Sequence, residues 1–251
     1  AFVAASSQGL GLACAVSLAR EGVAVTLNGR SSPRLAAAAA RLRDAVPEAQ
    51  VSSVMADLTT AEGRATILRV LPAVDILVTN NAGPPPGELA DWDEDALIGA
   101  LRANAIPAIE LMRAYVPGMR ERGFGRIVNI TSAMVKAPAA EMGLSASARA
   151  ALTAVSKSIS NAVVRDNVTV NNLLPERIDT PRQEFMAQRL MAAEGLDRDG
   201  ARERIASTVA ARRLGRPEEF GDACAFLCSA QAGYISGHNL SIDGGSYGGL
   251  I

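Results

Sequence analysis

The sequence predicts an α/β fold in which one doubly wound parallel sheet carries helices on both faces. Short apolar runs alternate with helical patterns throughout the 251 residues, which is typical of repeated βαβ units. Hydrophobic residues make up 49% of the chain, enough to cover both faces of such a sheet. No Pro/Gly/Ser-rich linker and no internal repeat interrupts this pattern, so we expect a single domain over residues 1–251.

Short runs rich in Val or Ile predict about seven buried strands, because each run is bounded by Gly, Asn, Asp or Pro. In chain order they are "AFVA" (1–4), "VAVTL" (23–27), "VSSVM" (51–55), "VDILVT" (74–79), "RIVNIT" (126–131), "VTVNNLL" (168–174) and "NLSID" (239–243). Strands that alternate with helices in this way are expected to pair in parallel through right-handed crossovers.

Amphipathic patterns between these runs predict the helices. They are expected at 9–21, 33–46, 60–70, about 93–121, about 141–163 and 217–229. The segment 176–216 is polar and helical but contains no strand candidate. Because it follows the sixth strand, we expect it to form a helical lid over a site at the strand ends.

Charge and cysteine usage exclude several classes of function. A net charge of −1 with no long basic run argues against a nucleic-acid partner. No apolar stretch reaches the roughly 18 residues that a membrane span requires, so no membrane partner is expected. Three cysteines and a single histidine predict neither a disulfide framework nor a metal site, and they indicate a reducing compartment such as the cytoplasm.

The turn after the first strand, "AASSQGLG" (4–11), has the composition of a phosphate-binding loop. Gly9 and Gly11 open a helix directly after a strand, so that backbone N–H groups and the positive helix end can bind an anion. A pair of glycines also occurs in ordinary turns. Its place in the first βα unit favours a nucleotide, because ligands bind at the carboxyl ends of parallel strands.

The end of the second strand distinguishes between the two nicotinamide dinucleotides. The strand ends "TLNGRSS", with Arg30 where an NAD site usually carries an acid for the ribose 2′-hydroxyl. An arginine suits a 2′-phosphate by charge and by bidentate geometry. A solvated surface arginine is the alternative interpretation. The sequence favours NADP(H) over NAD(H).

Motifs along nearly the whole chain resemble the short-chain dehydrogenase/reductase family. "NNAG" (80–83) is that family's most specific short signature. "ADLT" and "GRIVNITS" match segments that carry its adenine-contacting aspartate, here Asp57, and its active-site serine, here Ser132. Asn104 matches the active-site asparagine, and "VTVNNLLPERIDT" matches the segment that holds the nicotinamide. The resemblance implies a Rossmann-type fold and hydride transfer between a nicotinamide cofactor and a carbonyl or alcohol.

The same resemblance, with Arg30, gives a set of expected cofactor contacts. They are Ser6, Gly9, Leu10, Gly11, Arg30, Ser31, Asp57, Asn81, Ala82, Gly83, Arg149, Pro175, Ile178 and Thr180. In the family a tyrosine passes the proton, and a lysine binds the nicotinamide ribose and lowers the pKa of the tyrosine. Serine and asparagine residues hold the substrate oxygen and complete a relay of water molecules.

This chain departs from the family at the active-site helix. The family's thirteen-residue step from Ser132 puts Ser145 and Arg149 at the tyrosine and lysine positions, and the other register puts Leu144 and Ala148 there. We adopt the first register, because "RAALTAVSK" then aligns with the family's helix. An aliphatic hydroxyl is a weaker acid than a phenol, so proton transfer must differ. The Arg149 fork can still hold ribose hydroxyls.

Other departures bear on the same site. Ala4-Ala5 replaces the family's Thr-Gly in the first turn, where a methyl group resists close phosphate approach. Glu176 replaces the glycine that usually follows Pro175. Lys136 is a candidate replacement proton donor, because a lysine partly desolvated in a cleft titrates near neutrality. A solvated loop lysine is the alternative.

Three functions are compatible with these residues. The first is an oxidoreductase that uses NADP(H) and takes its proton from Lys136, water or another group. The second is a redox-neutral enzyme, such as a dehydratase, isomerase or cyclase, in which Glu176 and Arg149 act on a carboxylate or enolate. The third is a catalytically silent member of the family. The sequence favours the first, because most of the cofactor motifs are retained.

The expected partners are a small-molecule substrate and further copies of the chain. In the family that the chain resembles, the long helices predicted here at 93–121 and 141–163 pair across a dimer, usually within a tetramer. The lid carries four large apolar residues, which predict either an apolar cover over the substrate or packing in a core: Phe185, Met186, Leu190 and Met191.

Overall fold

The computed structural model of the chain describes residues 1–250 and has one parallel sheet at its centre. Within this range the strands are β1 (Phe2–Val3), β2 (Val25–Gly29), β3 (Val51–Met55), β4 (Ile76–Thr79), β5 (Gly125–Ile130), β6 (Val168–Pro175) and β7 (Asn239–Ile242). Their order is β3-β2-β1-β4-β5-β6-β7, and each neighbouring pair is parallel. The strand order reverses at β1, which is where such sheets bind ligands. The predicted fold is confirmed.

Helices cover both faces of the sheet and enclose two cores. They are α1 (Gly9–Arg20), α2 (Ser32–Ala45), α3 (Ala61–Val70), α4 (Glu94–Asn104), α5 (Ile106–Glu121), α6 (Gly143–Val163), α7 (Pro181–Glu194), α8 (Arg198–Ala206) and α9 (Pro217–Cys228). On one face α1, α2 and α9 contribute Leu18, Leu35 and Phe220. On the other face α5 and α6 contribute Leu111 and Leu152. The central strands are buried on both sides and are therefore apolar along most of their length.

The single helix expected at about 93–121 is divided into α4 and α5 at Ala105, which corrects that prediction. Pro107 has no N–H to donate to the carbonyl of Ala103, so a continuous helix would leave this carbonyl without its partner. The side chain of Asn81 donates to it instead. The break therefore connects the end of α4 to the loop after β4.

A mostly buried row of polar side chains crosses the sheet from β4 to β7. Asn129 in β5 accepts a hydrogen bond from Thr79 in β4 at 2.6 Å and donates to Asn172 in β6 at 3.2 Å. Asn172 donates in turn to Asn239 in β7 at 2.7 Å. These residues lie opposite one another in the sheet register. Their hydrogen bonds fix the relative heights of the strand ends that carry the site.

The segment 176–216 contains α7 and α8, which pack on each other around the buried Ala187. Met186, Leu190 and Met191 pack against this small core. Packing within this segment therefore explains three of its four large apolar residues. Phe185 remains 41% exposed.

Candidate active site

The first turn is held by the strands on either side of it. Ala5 has a φ of +44°, a left-handed conformation that costs a non-glycine residue about 1 kcal/mol. Its N–H donates to Asn28 Oδ1 at 3.2 Å, and its carbonyl accepts from Asn80 Nδ2 at 3.1 Å. These two hydrogen bonds hold the turn with an alanine at the position where the resembled family has glycine.

Gly11 allows α1 to begin directly over this turn. A Cβ atom at Gly11 would lie 2.7 Å from the carbonyl oxygen of Ala5 and 2.9 Å from Asn80 Nδ2. The N-cap residue of α1, Gln8, makes no side-chain capping bond. The N–H groups of the first helical turn are therefore available to an anion.

The side chain of Ser6, an expected cofactor contact, is directed into the fold. Its side chain is 0% exposed, and its hydroxyl donates to the carbonyl of Val3 at 2.7 Å and accepts from the N–H of Asn28 at 2.9 Å. Both hydrogen bonds connect β1 to β2, so the side chain is not available to a cofactor. Leu10 packs against the core, which leaves its backbone N–H as its means of binding a ligand.

Arg30 lies beside Asp57 after the ends of β2 and β3. Its Nη1 is 3.7 Å from Asp57 Oδ2, and its side chain is 72% exposed. The hydroxyl and N–H of Thr59 hold the pKa of Asp57 below its usual range, and Arg30 adds to this effect. Ser31 precedes α2 but makes no side-chain capping bond. An exposed guanidinium therefore lies next to an uncapped helix N-terminus.

The loop after β4 links the first turn to α6. Asn80 reaches the first turn, Asn81 reaches the end of α4, and the N–H of Ala82 donates to Asn81 Oδ1 at 3.0 Å. A Cβ atom at Gly83 would lie 3.1 Å from Arg149 Nη2. Because Gly83 has no side chain, the guanidinium of Arg149 can lie directly against this loop.

Ser132 and Asn104 lie on segments that pack against α6. Ser132 follows β5, and its Oγ accepts from the N–H of Met134 at 3.2 Å. Asn104 ends α4, is 7% exposed, and donates to the carbonyl of Ala100 at 3.2 Å. Its Oδ1 is buried and has no hydrogen-bond partner in the described part of the chain. This oxygen can therefore accept from a water or a ligand.

Ser145 and Arg149 lie one helical turn apart on the buried side of α6. They are 3% and 9% exposed, and Arg149 Nη1 donates to Ser145 Oγ. Burial, together with the charge of Arg182, lowers the pKa of Arg149 to about 10, so the guanidinium stays protonated at neutral pH. The Ser145 hydroxyl accepts from Arg149 and keeps its own O–H to donate. Ala148, from the other register, is 0% exposed.

The side chain of Lys136 forms a hydrogen bond with the last strand, β7. Its Nζ donates to Ser241 Oγ at 3.2 Å and lies 5.2 Å from the centre of the Tyr247 ring. Over residues 1–250, none of its hydrogen bonds reaches Ser132 or Ser145. These contacts give Lys136 partners in β7 and the C-terminal tail, and they provide no support for its expected role as proton donor.

The segment after β6 approaches the first turn. Pro175 ends β6, and Ile178 is 6% exposed, with its Cδ1 only 2.5 Å from where a Cβ atom of Gly215 would lie. The side chain of Ile178 is therefore part of the hydrophobic core, so Ile178 can contact a cofactor only through its backbone. Thr180 Cβ lies 3.8 Å from the position that a Cβ atom of Gly9 would take. Thr180 and Gly9 thus face each other.

Glu176 borders a separate cavity of about 250 Å³. Its Oε1 lies 2.9 Å from Arg177 Nε, and its side chain is 13% exposed. Burial raises the pKa of Glu176, against the opposing effect of the Arg177 charge, and Asp243 raises it further.

Arg182 is a member of this site that the sequence did not reveal. It lies in the first turn of α7, and its Nη2 donates to the carbonyl of Pro84 at 3.2 Å. Its guanidinium carbon is 5.4 Å from the centre of the Phe185 ring. The only signal in the sequence was its position two residues after Thr180, at the start of the expected lid.

Within residues 1–250, no group of three His, Cys, Asp or Glu side chains is arranged to hold a metal ion. In the same range the three cysteines are buried and form no disulfide. No helix there combines the length and apolar character that a membrane crossing requires.

The chain belongs to the short-chain dehydrogenase/reductase family. The family model described as Enoyl-(Acyl carrier protein) reductase matches residues 4–247, almost the full length of the fold and all of the site described above. The seven-stranded parallel sheet is thus the sheet of this family.

Similar proteins include reductases from bacteria and mammals. NADPH-dependent reductase BacG of Bacillus subtilis is 31% identical over 98% of this chain and 96% of its own length. Dehydrogenase/reductase SDR family member 4 of Bos taurus is 32% identical over 98% of this chain and 86% of its own length. L-sorbose reductase of Gluconobacter frateurii, solved in complex with NADPH and L-sorbose, is 30% identical with a TM-score of 0.92, covering 99% of this chain and 96% of that one.

Proposed function

We propose that the protein is an NADP(H)-dependent oxidoreductase that transfers hydride between the nicotinamide and a carbonyl or alcohol substrate. The observation that carries this proposal is Arg30, 72% exposed and next to the uncapped N-terminus of α2. A guanidinium and free helical N–H groups together suit the 2′-phosphate that distinguishes NADPH from NADH. Similarity to the NADPH-dependent reductase BacG and to an L-sorbose reductase solved in complex with NADPH supports the same cofactor.

The residues of the first turn fit the rest of the dinucleotide. The uncapped N-terminus of α1 would hold the pyrophosphate, and the ionised Asp57 would accept from the adenine. Arg149 would donate to the nicotinamide ribose, and Thr180, opposite Gly9, would hold the carboxamide. NADPH bound there supplies a hydride to a carbonyl carbon.

The proton has a source other than the family's tyrosine. We assign Ser132 and Ser145 as donors to the substrate oxygen, because the hydrogen bond from Arg149 leaves the O–H of Ser145 free to donate. Water then replaces the proton, and the free Oδ1 of Asn104 supports the position of that water. Lys136 is not needed, because its ammonium is bonded to Ser241.

Loss of NADPH absorbance during incubation with a panel of ketones and aldehydes tests the reaction. Turnover by the parent protein is expected, and Ser145→Ala should lower kcat while leaving the dissociation constant of NADPH unchanged. Absence of turnover with every carbonyl tried, in protein that binds NADPH, would contradict the reductase proposal.

A redox-neutral reaction is the second candidate, and Glu176 is the observation that favours it. A buried carboxyl group with a raised pKa beside a 250 Å³ cavity is suited to take up and release a proton. This candidate predicts substrate conversion with no change in nicotinamide absorbance and loss of conversion in Glu176→Gln.

Copies of the chain are proposed to associate as a dimer or tetramer in the cytoplasm. The supporting observation is a set of apolar side chains left exposed along α4, α5 and the end of α6: Leu97 at 41%, Ile106 at 38% and Val164 at 41%. Burying them between copies would remove apolar surface from water. The unpaired cysteines remain reduced in that compartment.

A further inference from the structure

Arg149 is a buried arginine that leaves most of its hydrogen-bonding capacity unused. It is 9% exposed and donates one hydrogen bond, to Ser145, and the described residues supply it with no ion pair. Arg126 shows the contrast: it is 2% exposed, and all three of its donor nitrogens bond to protein oxygens, including those of Asn167 and Ser229. Arg126 is saturated by the fold, whereas Arg149 keeps donors for a ligand.

Arg182 brings a second positive charge to the same place from the lid. It donates to the carbonyl of Pro84, while Arg149 lies against the adjacent Gly83. Only like charges act on these two groups: Arg182 contributes to the lowered pKa of Arg149, and Arg189 contributes to that of Arg182, in each case after burial. Two half-buried or buried guanidinium groups without a carboxylate are costly unless an anion joins them.

We propose that Arg149 and Arg182 bind the carboxylate of the second substrate, so that the ketone reduced at this site is an oxo acid. This substrate class rests on the reductase function proposed above. Guanidinium groups match a carboxylate with two parallel N–H···O bonds, which gives direction as well as affinity. Phe185, behind Arg182 and 41% exposed, offers an apolar surface to the body of such a molecule.

The location agrees with a substrate that reacts next to the nicotinamide. Arg182 is two residues from Thr180, which lies opposite Gly9 in the first turn, and Arg149 is bonded to Ser145. The carbonyl carbon of the oxo acid gains a hydride from NADPH, which becomes NADP⁺. The carbonyl π bond breaks, and its oxygen gains a proton from water through Ser145. The product is a hydroxy acid, and the carboxylate stays ionised throughout.

Steady-state kinetics with a matched pair of ketones test this assignment. Phenylpyruvate carries the carboxylate, and its methyl ester is neutral but otherwise alike. For the parent we expect kcat/KM to be about tenfold or more higher for the acid, since hydrogen bonds to a charged group are stronger than those to a neutral one. In Arg182→Met this preference should disappear because KM for the acid rises. The dissociation constant of NADPH should not change.

Arg204→Met is the matched control, because Arg204 is an exposed lid arginine on α8 that forms no ion pair in the described chain. It should keep the preference for the acid. Equal kcat/KM for acid and ester in the parent would overturn the proposal. So would an Arg182→Met variant that keeps the preference but binds NADPH more weakly, because the anion would then be a cofactor phosphate.

Thermal unfolding separates this proposal from the reductase function. Phenylpyruvate, with and without NADPH, should raise the melting temperature of the parent by several degrees but not that of Arg149→Met or Arg182→Met. If phenylpyruvate raises the melting temperature in this pattern but is not reduced, the carboxylate site is supported and the reductase function is rejected. No shift of the parent under either condition would reject the carboxylate site, even if NADPH is oxidised with other ketones.

Discussion

At the scale of single residues, α6 carries a charge that its surroundings do not neutralise. Arg149 is ionised at neutral pH, yet burial lowers its pKa to about 10 from a usual value of 12.5. Between these two values the unfolded chain binds more protons than the folded one, so stability rises with pH there. Below this window the whole cost of burying the charge is present.

Replacing Arg149 should therefore stabilise the protein without ligand. Arg149→Met removes the charge but keeps an apolar stem, so we expect its melting temperature at pH 7 to exceed that of the parent by a few degrees. Differential scanning calorimetry of both proteins measures this. A lower melting temperature would mean that Arg149 supports the fold and that its location does not reflect ligand binding.

Ionisation of Glu176 makes the free energy of unfolding depend on pH in the opposite direction to that of Arg149. Burial raises its pKa above the usual 4.5, so the folded protein holds the proton more tightly and stability falls as pH rises through the folded value. Glu176→Gln should be more stable than the parent at pH 7, and this advantage should vanish below pH 4.5. Urea unfolding over a series of pH values measures it, and a difference independent of pH would contradict the expected ionisation.

How far the surroundings of single residues were predictable depended on whether those surroundings are local. The places of Gly11 at the start of α1 and of Arg30 after β2 were predictable, because they follow from residue type and position in a βα unit. The burial of the Ser6 hydroxyl was not predictable, since composition does not say which way a hydroxyl points in a turn. Arg182 was missed because its partners, Pro84 and Arg149, are distant in the chain and meet only through folding.

At the scale of elements, periodicity located the strands and helices but not the hydrogen bonds between them. The third strand lies at Val51–Met55, as expected, because its ends are marked by turn residues. The helix expected at 93–121 breaks because Pro107 frees the carbonyl of Ala103, which Asn81 then takes. The proline was visible in the sequence, but the partner for the carbonyl was not.

The first turn and α1 should tolerate no side chain at Gly11. In Gly11→Ala the new methyl group would lie 2.7 Å from the Ala5 carbonyl oxygen, so the turn must shift, and we expect NADPH affinity to fall by about tenfold or more. Gly99→Ala is the control, because no heavy atom lies within 4 Å of a Cβ atom there. Isothermal titration with NADPH measures both, and equal affinities would show that the turn does not bind the cofactor.

At the scale of the whole molecule, the exposed apolar residues of α4, α5 and α6 predict association. Sedimentation equilibrium should give the mass of a dimer or tetramer of the 26.0 kDa chain. Leu97→Glu should shift the equilibrium toward the monomer, because a buried charge at an interface is costly. Phe226→Glu is the control, because it alters another exposed apolar residue, 49% exposed, on α9 rather than on these helices. A monomer at micromolar concentration would contradict the prediction.

The most direct test of the account is a fluorescence titration of the protein with NADPH and, separately, with NADH. The account predicts micromolar binding of NADPH, weaker binding of NADH, and loss of this difference in Arg30→Gln. The difference should persist in Arg41→Gln, which removes another exposed positive charge, within α2. Binding of neither nucleotide would contradict the central claim that this fold holds NADP(H) for hydride transfer.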